Sequence, residues 1–339
     1  MHQFRARVTI RDVAEHAGVS VATVSKVINQ RYGVAANTTA RVQAVISELG
    51  YEASLVAQSL RNHRTNVVGI LVADLEPFST ELLQGAADAI RDSGFELVVY
   101  SAGGRTGDMV GWERRYLSRL SGTLVDGAVL VTPTVVEVKY GAPVVAVDPH
   151  TGSSSIPTVD ADSLRGARLA TEHLLGLGHR RIALLAGRPD LESAKLREQG
   201  YRDALAQAGV PFADSLVRVG GYDAELSALA AHELLTLAHR PTAVFAANDV
   251  TAIATIKVAL ALGLRVPEDV SVVGFDNIPE SALSTPPLTT VSQPIRTMGE
   301  RAVEMLIQLI REQPVERTHL TLATELVVRG STAPPRSEP

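Results

Sequence analysis

The chain has no cysteine in 339 residues. That excludes disulfides and thiolate metal sites and suits a reducing compartment. Aromatic residues make up only 4%, so a core must rest on Ala, Val, Leu and Ile, the composition of parallel sheets covered by helices. No stretch approaches the ~18 uninterrupted apolar residues of a membrane span; Asp126, Pro133, Asn248 and Lys257 interrupt the longest candidates. The opening MHQFRARVTI lacks the apolar segment of an export signal, so a cytoplasmic protein without a membrane partner is expected.

Motifs for chemistry are missing as well. AGGRTG at 102–107 is neither a phosphate-binding loop nor a dinucleotide fingerprint and reads as a turn. The nine histidines are scattered. His232-Glu233 lacks the second histidine of a zinc helix, and His179 ahead of Arg180-Arg181 reads as a cation at a helix C-terminus. Ser193 has no neighbouring base in sequence. The expectation is a protein that is not an enzyme and carries no cofactor or metal.

What is present suits a soluble protein of two or three domains, with 45% hydrophobic and 20% charged residues. The net charge of −5 is unevenly spread. Residues 1–64 hold eight Lys/Arg and four acids, a surplus of +4, whereas the remainder holds 24 basic and 33 acidic residues, a deficit of −9. A basic head on an acidic body suggests a polyanion partner for the head, although a solvated basic surface would look the same.

Within the head, Thr9 followed by Ile10-Arg11-Asp12 is a helix N-cap with an acid at N3. Val13, Ala14 and Ala17 give that helix an apolar stripe, and Gly18 ends it. Ser20 caps a second helix, Val21 to Ile28, with Val24, Val27 and Ile28 inward. A third starts near Asn37-Thr38, buries Val42, Val45, Ile46 and Leu49, and stops at Gly50. The short link between the first two predicts a helix-turn-helix.

Beyond residue 66 apolar runs alternate with helical segments. Strands are predicted at 67–74, 95–101, 127–131, 144–148, 181–187, 216–221, 242–249 and 271–276, and helices at 80–93, 162–176, 191–208, 223–238 and 249–262. This alternation predicts an α/β body with doubly wound parallel sheets, its strands in two groups and hence two lobes. Asp74, Asp148, Asn248-Asp249 and Asp276-Asn277 stand at strand ends. Each could be a helix cap or part of a polar cleft.

The string VTIRDVAEHAGVSVATVSKVIN, continued by Val34 and ELGY at 48–51, resembles the headpiece of the LacI/GalR family of transcription regulators. The resemblance implies an all-α headpiece at 1–53, a hinge helix and linker at 54–65, and an effector-binding and dimerisation body at 66–330 of the periplasmic-binding-protein type. An N-lobe of about 66–161 plus 294–322 and a C-lobe of about 162–292 plus 323–330 follow from it. The Pro-rich 331–339 is expected to be a disordered tail.

The same resemblance assigns the DNA contacts. Val21, Ala22 and Lys26 occupy base-reading places, and Ser20, Thr23, Ser25, Asn29, Thr38 and Tyr51 match phosphate-holding positions. In the hinge SLVAQSLRN (54–62), Leu60 would wedge into the minor groove, with Ala57 near its floor and Val56 near the symmetry axis. Ala53-Ser54 stands where the family usually has Pro-Asn.

For the effector, the family segments align with Ser193 and Arg197 in SAKLREQGY, with Asn248, Asp276 and Gln293, and with Asp148. Phe78 and Tyr222 could supply stacking faces, and Asp74 and Asp162 are further candidates. Such a polar set with an aromatic face suits a sugar, with a purine corepressor as the alternative. The implied function is a nucleoid-associated repressor that binds a pseudo-palindromic operator as a homodimer under effector control. The competing readings are a sugar-binding protein without a DNA role and an α/β enzyme.

Overall fold

A computed structural model describes residues 8–28, 31–51, 64–103, 111–120, 124–134, 141–151 and 156–336. Asn29, the 54–62 hinge with Val56, Ala57 and Leu60, and most of 102–107 lie outside the described residues. The chain divides into two units between Thr65 and Asn66.

In the first unit, α1 (Ile10–Ala17) begins at a reciprocal cap. The Thr9 hydroxyl accepts from the Asp12 amide at 3.4 Å, and the Asp12 carboxylate accepts from the Thr9 amide at 2.7 Å. The Thr9 amide and the Thr9 hydroxyl, which also donates to the carboxylate at 2.8 Å, hold the Asp12 carboxyl below its ordinary pKa. Gly18, at φ +62, closes the helix in the left-handed region that glycine tolerates. The Ser20 hydroxyl accepts from the Thr23 amide at 3.1 Å and starts α2 (Val21–Ile28). Helix α3 (Ala36–Leu49) starts slightly ahead of Asn37-Thr38, without a side-chain cap, and ends at Gly50 with φ +60. Val13, Ala14, Ala17, Val24, Val27 and Val42 are buried together. Each large aliphatic among them contributes about 1.5–3 kcal/mol.

Among its described residues the second unit forms two six-stranded sheets. The first is built from β1 (Val67–Val72), β2 (Glu96–Ser101), β3 (Gly127–Val131), β4 (Val144–Val147), β5 (Thr158–Ala161) and β11 (His319–Leu322). Its order is β11-β5-β4-β3-β1-β2, with every pair parallel. The second has β6 (Ile182–Ala186), β7 (Val217–Val219), β8 (Ala243–Ala246), β9 (Ser271–Asp276), β10 (Thr289–Ser292) and β12 (Glu325–Val327). Its order is β12-β10-β9-β8-β6-β7, with β12 antiparallel.

Both sheets are covered on both faces. Along β1, Val68, Ile70 and Val72 join Leu82 of α4 (Pro77–Ile90) and Met298 of α11 (Ile295–Ile310). Val67 and Leu71 face the opposite core with Trp112 and Leu117 of α5 (Trp112–Leu120). In the second sheet, Ala243 and Phe245 of β8 meet α6 (Ser163–Gly176) and α7 (Glu192–Gln207). Val244 and Ala246 meet α8 (Ala224–Leu235) and α9 (Asp249–Ala261). A short α10 (Pro279–Leu283) follows β9. Helices α4 and α11 lie backbone against backbone: a Cβ on Gly85 would stand 1.9 Å from the Arg296 carbonyl oxygen, and one on Gly299 2.1 Å from that of Leu82.

The chain passes between the sheets three times, at Asp162 after β5, at Gln293-Pro294 after β10, and at 323–324 between β11 and β12. Two of these passages are tied together, because the Thr324 hydroxyl donates to the Asp162 carbonyl at 3.1 Å.

Several expectations are corrected. The eight strands foreseen all form, but four short ones were not foreseen: TVDA, TTVS, HLTL and ELV are three or four residues long and carry polar side chains or lie at a sheet edge. Residues 331–336 are not a disordered tail. Ser331 is fully buried, its amide-accepting hydroxyl also donating to the Val272 carbonyl, and Ala333 accepts from Ser271. These polar atoms find partners on β9, which offsets the poor helix and strand propensity of the segment. His179 is not the helix-terminal cation expected. It is buried against Thr242, Ser271 and the Ala333 carbonyl, and burial lowers its pKa.

Candidate functional site

A cavity of about 360 Å³ opens between the two lobes of the second unit, within the size range of small-molecule sites. Its walls come from the carboxyl ends of strands in both sheets, where open α/β sheets bind ligands. The first lobe contributes Asp74 after β1, Glu76 and Phe78 at the start of α4, Thr132 after β3 and Asp148 after β4. The second contributes Arg188, Ser193, Arg197, Tyr222, Asn248 and Asp276, and Gln293 lies on the connecting passage.

Backbone strain is concentrated here. Thr132 (φ +47), Asp148 (φ +47), Tyr222 (φ +66) and Asp276 (φ +114) all occupy the region normally left to glycine, and all four line the cavity. Such conformations persist where the surroundings impose them, and they cluster at ligand sites.

Arg197 organises the floor. Its guanidinium lies 3.8 Å from the Phe275 ring centroid, donates to the Ala247 carbonyl at 2.5 Å and stands 3.5 Å from Asp276. Gln293 donates to Asp276 at 2.6 Å. From the other lobe Asp148 accepts from the Ser193 hydroxyl at 2.9 Å, a direct bond across the cleft. Beneath this layer Asp249, fully buried, accepts from the Thr290 hydroxyl at 2.5 Å and from the Ile278 amide at 2.9 Å.

Burial raises the pKa of Asp148 and Asp276, against the pull of Arg197. Burial pushes Asp249 up to about 7. Arg197, for its part, is raised: burial opposes its charge, but Tyr222, Asp276, Asp148 and Asp249 outweigh that. The two directions agree once stoichiometry is considered. Burial outweighs what the cations return to each acid: Asp148 and Asp276 draw on the one Arg197 guanidinium and Asp249 on Arg329, whereas Arg197 gathers several partners.

Of the ten effector residues expected, nine line the cavity: Asp74, Phe78, Asp148, Ser193, Arg197, Tyr222, Asn248, Asp276 and Gln293. Asp162 does not. Its carboxylate accepts from the Arg165 amide at 3.0 Å and caps α6. Asn248 does both, lining the cavity while capping α9 through the Thr251 amide at 2.9 Å. Phe78 belongs to the first turn of α4. Glu76 and Arg188 were missed. Glu76 caps α4 by accepting from the Phe78 and Ser79 amides, both at 2.8 Å. The strand-end position of Arg188, just after β6, was the available signal.

On the head, Ser20, Ala22, Thr23 and Lys26 of the α2 segment share a concave surface with Thr38 and Arg41 of α3. Val21 is 41% exposed, unusual for a valine beside a small core. Ser25 and Tyr51 are half-buried, and Tyr51 packs against the head core. Arg41 was not foreseen.

Two family models match. Residues 9–54 match that of bacterial regulatory proteins of the lacI family, and residues 171–332 that of a periplasmic binding protein-like domain. The ribose operon repressor of Escherichia coli (strain K12) is 36% identical over 333 residues, covering 95% of this chain and 99% of that protein. The HTH-type transcriptional repressor PurR of Photobacterium profundum is 33% identical over 331 residues, with 95% and 98% covered. The crystal structure of the Lac repressor dimer bound to operator and the anti-inducer ONPF is 31% identical, with a TM-score of 0.83 over 97% of this chain and 100% of that one.

This chain belongs to the lacI family. Members of that family are DNA-binding transcription repressors, not enzymes, and share the helical headpiece and the two α/β lobes. Among the described residues of this lacI-family repressor no helix is long and apolar enough to cross a membrane, and no group of three or more acids or histidines could hold a metal ion.

Proposed function

We propose that this lacI-family repressor binds a pseudo-palindromic operator at the nucleoid as a homodimer and is controlled by a small carbohydrate held between its lobes. The reading is carried by one observation: carboxyl, amide and guanidinium groups from both lobes converge with Phe78 and Tyr222 on a single cavity. Such groups pair with adjacent hydroxyls, and an aromatic face covers the apolar side of a sugar ring. On the head, Lys26 donates to a guanine edge, while Val21 and Ala22 pack on thymine methyls. Ser20, Thr23, Ser25, Asn29, Thr38 and Tyr51 hold phosphates and set the register.

Effector binding alters the arrangement of the lobes, and residues 54–65 relay that change to the headpieces. Linkage requires that an effector which weakens operator binding is itself bound more weakly by the operator complex. The 33% identity to a PurR repressor over nearly the whole chain supports a purine as the second reading. Calorimetry of the full-length protein with a sugar panel and with hypoxanthine and guanine separates the two. A gel shift with the upstream DNA of its own gene, at stated salt, tests the repressor half. Tight purine binding with silent sugars would reverse the choice of effector.

A further inference from the structure

Among the described residues the cavity lining contains two arginines, the residues best suited to hold a phosphate or carboxylate, and both are already engaged. Arg188 grips Asp190 with both arms, at 3.2 Å from Nε and 2.7 Å from Nη2. Arg197 is spent on the Ala247 carbonyl, Asp276 and the Phe275 ring. Helix N-termini are the other common anion site. Three open on this cavity. Glu76 caps α4 and Asn248 caps α9. The start of α7 has no side-chain cap, but the Ser193 hydroxyl of its first turn donates to Asp148, which sets a carboxyl group beside those amides.

Against these stand four carboxylates in the lining: Asp74, Glu76, Asp148 and Asp276. Asp249 lies buried behind them. Among the described residues an anionic ligand would meet no unengaged arginine in the lining, and it would add negative charge beside Asp148 and Asp276, which already share one guanidinium.

We infer that the effector carries no anionic group: the site takes an uncharged polyhydroxy molecule and refuses the phosphate ester of the same sugar. The inference rests on the carbohydrate reading above and narrows it to free sugars, the form taken up before any kinase has acted. A ligand anion placed beside buried acids that share a single guanidinium is disfavoured by at least about 100-fold relative to its neutral parent.

The test is calorimetry of the full-length protein at pH 7.5 with matched pairs: D-ribose and D-ribose 5-phosphate, D-glucose and D-glucose 6-phosphate, cellobiose and its 6′-phosphate. Inorganic phosphate and hypoxanthine are titrated separately. A neutral sugar that binds while its ester binds at least about 100-fold more weakly is the expected result. An ester within tenfold of its parent, an ester that binds alone, or competition by inorganic phosphate would overturn the inference and leave the carbohydrate reading intact. Hypoxanthine binding with every sugar silent would sink the carbohydrate reading and leave the exclusion of anions standing. Silence from every neutral ligand overturns both. In Asp148→Asn the ratio of ester to parent affinity should rise by about fivefold or more, because one carboxylate is gone; an unchanged ratio places the discrimination elsewhere and refutes the argument.

Discussion

Replacing Tyr222 by phenylalanine should change two properties in opposite directions. The Tyr222 hydroxyl is enclosed and has no hydrogen-bond partner among the described residues. Its ring lies over Gly187, where a Cβ would stand 2.3 Å from the hydroxyl oxygen. Burial pushes the phenol up to about 12, so it is a neutral donor at physiological pH. An enclosed hydroxyl left unpaired costs about 1–3 kcal/mol. Deleting it from the ligand-free protein should therefore stabilise the C-terminal lobe by about 1 kcal/mol, a rise of about 2–4 °C in its unfolding midpoint. If a sugar hydroxyl completes the bond, that relief is absent in the variant, and affinity should fall about tenfold. Thermal unfolding without ligand and calorimetry with the sugar bound by the wild type measure the two effects. A lower midpoint in the variant, or an unchanged dissociation constant, would refute the reasoning that the site leaves this donor for its ligand.

Gly299→Ala forces a methyl to within 2.1 Å of the Leu82 carbonyl, so α4 and α11 must separate; a loss of about 2 kcal/mol or more in urea unfolding is expected, despite the better helix propensity of alanine. Lys26→Ala should lose guanine preference at one position of each half-site in a binding-site selection, at a cost of about 1–3 kcal/mol. Thr9→Ala removes the cap of α1 and should destabilise the headpiece by about 1 kcal/mol, read by circular dichroism of the intact protein on heating. Asp249 has its pKa raised from the ordinary 3.8 to about 7 by burial. Between those values the folded state keeps a proton that the unfolded state has lost, so its contribution to stability falls as pH rises. The stability of wild type relative to Asp249→Asn should accordingly decrease from pH 5 to pH 8; His173 and His179 titrate in both proteins and drop out of the difference.

The headpiece was legible because its signals are local. Thr9, Gly18, Ser20 and Gly50 act on amides within a few residues of themselves, and the structure places each cap there. The buried strands were legible because both faces are covered, giving unbroken apolar runs such as Val67–Val72 and Val272–Phe275. Edge strands are wet on one side and short, so β11 and β12 left no such trace. In the cavity, strand-end polar residues could be named but not their division of labour. Asp162 and Asn248 look alike in sequence as helix caps, yet only Asn248 also faces the cavity. The bond between Asp148 and Ser193 spans 45 positions, and no local pattern reports a contact of that kind. The fate of residues 331–336 was illegible for the same reason, since their partners, Ser271 and Val272, lie about 60 residues upstream.

The last two strands go to different sheets, β11 completing one lobe and β12 the other. Neither half of the regulatory body can therefore finish folding on the ribosome while translation is still short of residue 319. A frameshift or stop anywhere upstream of that point removes an edge strand from both halves together.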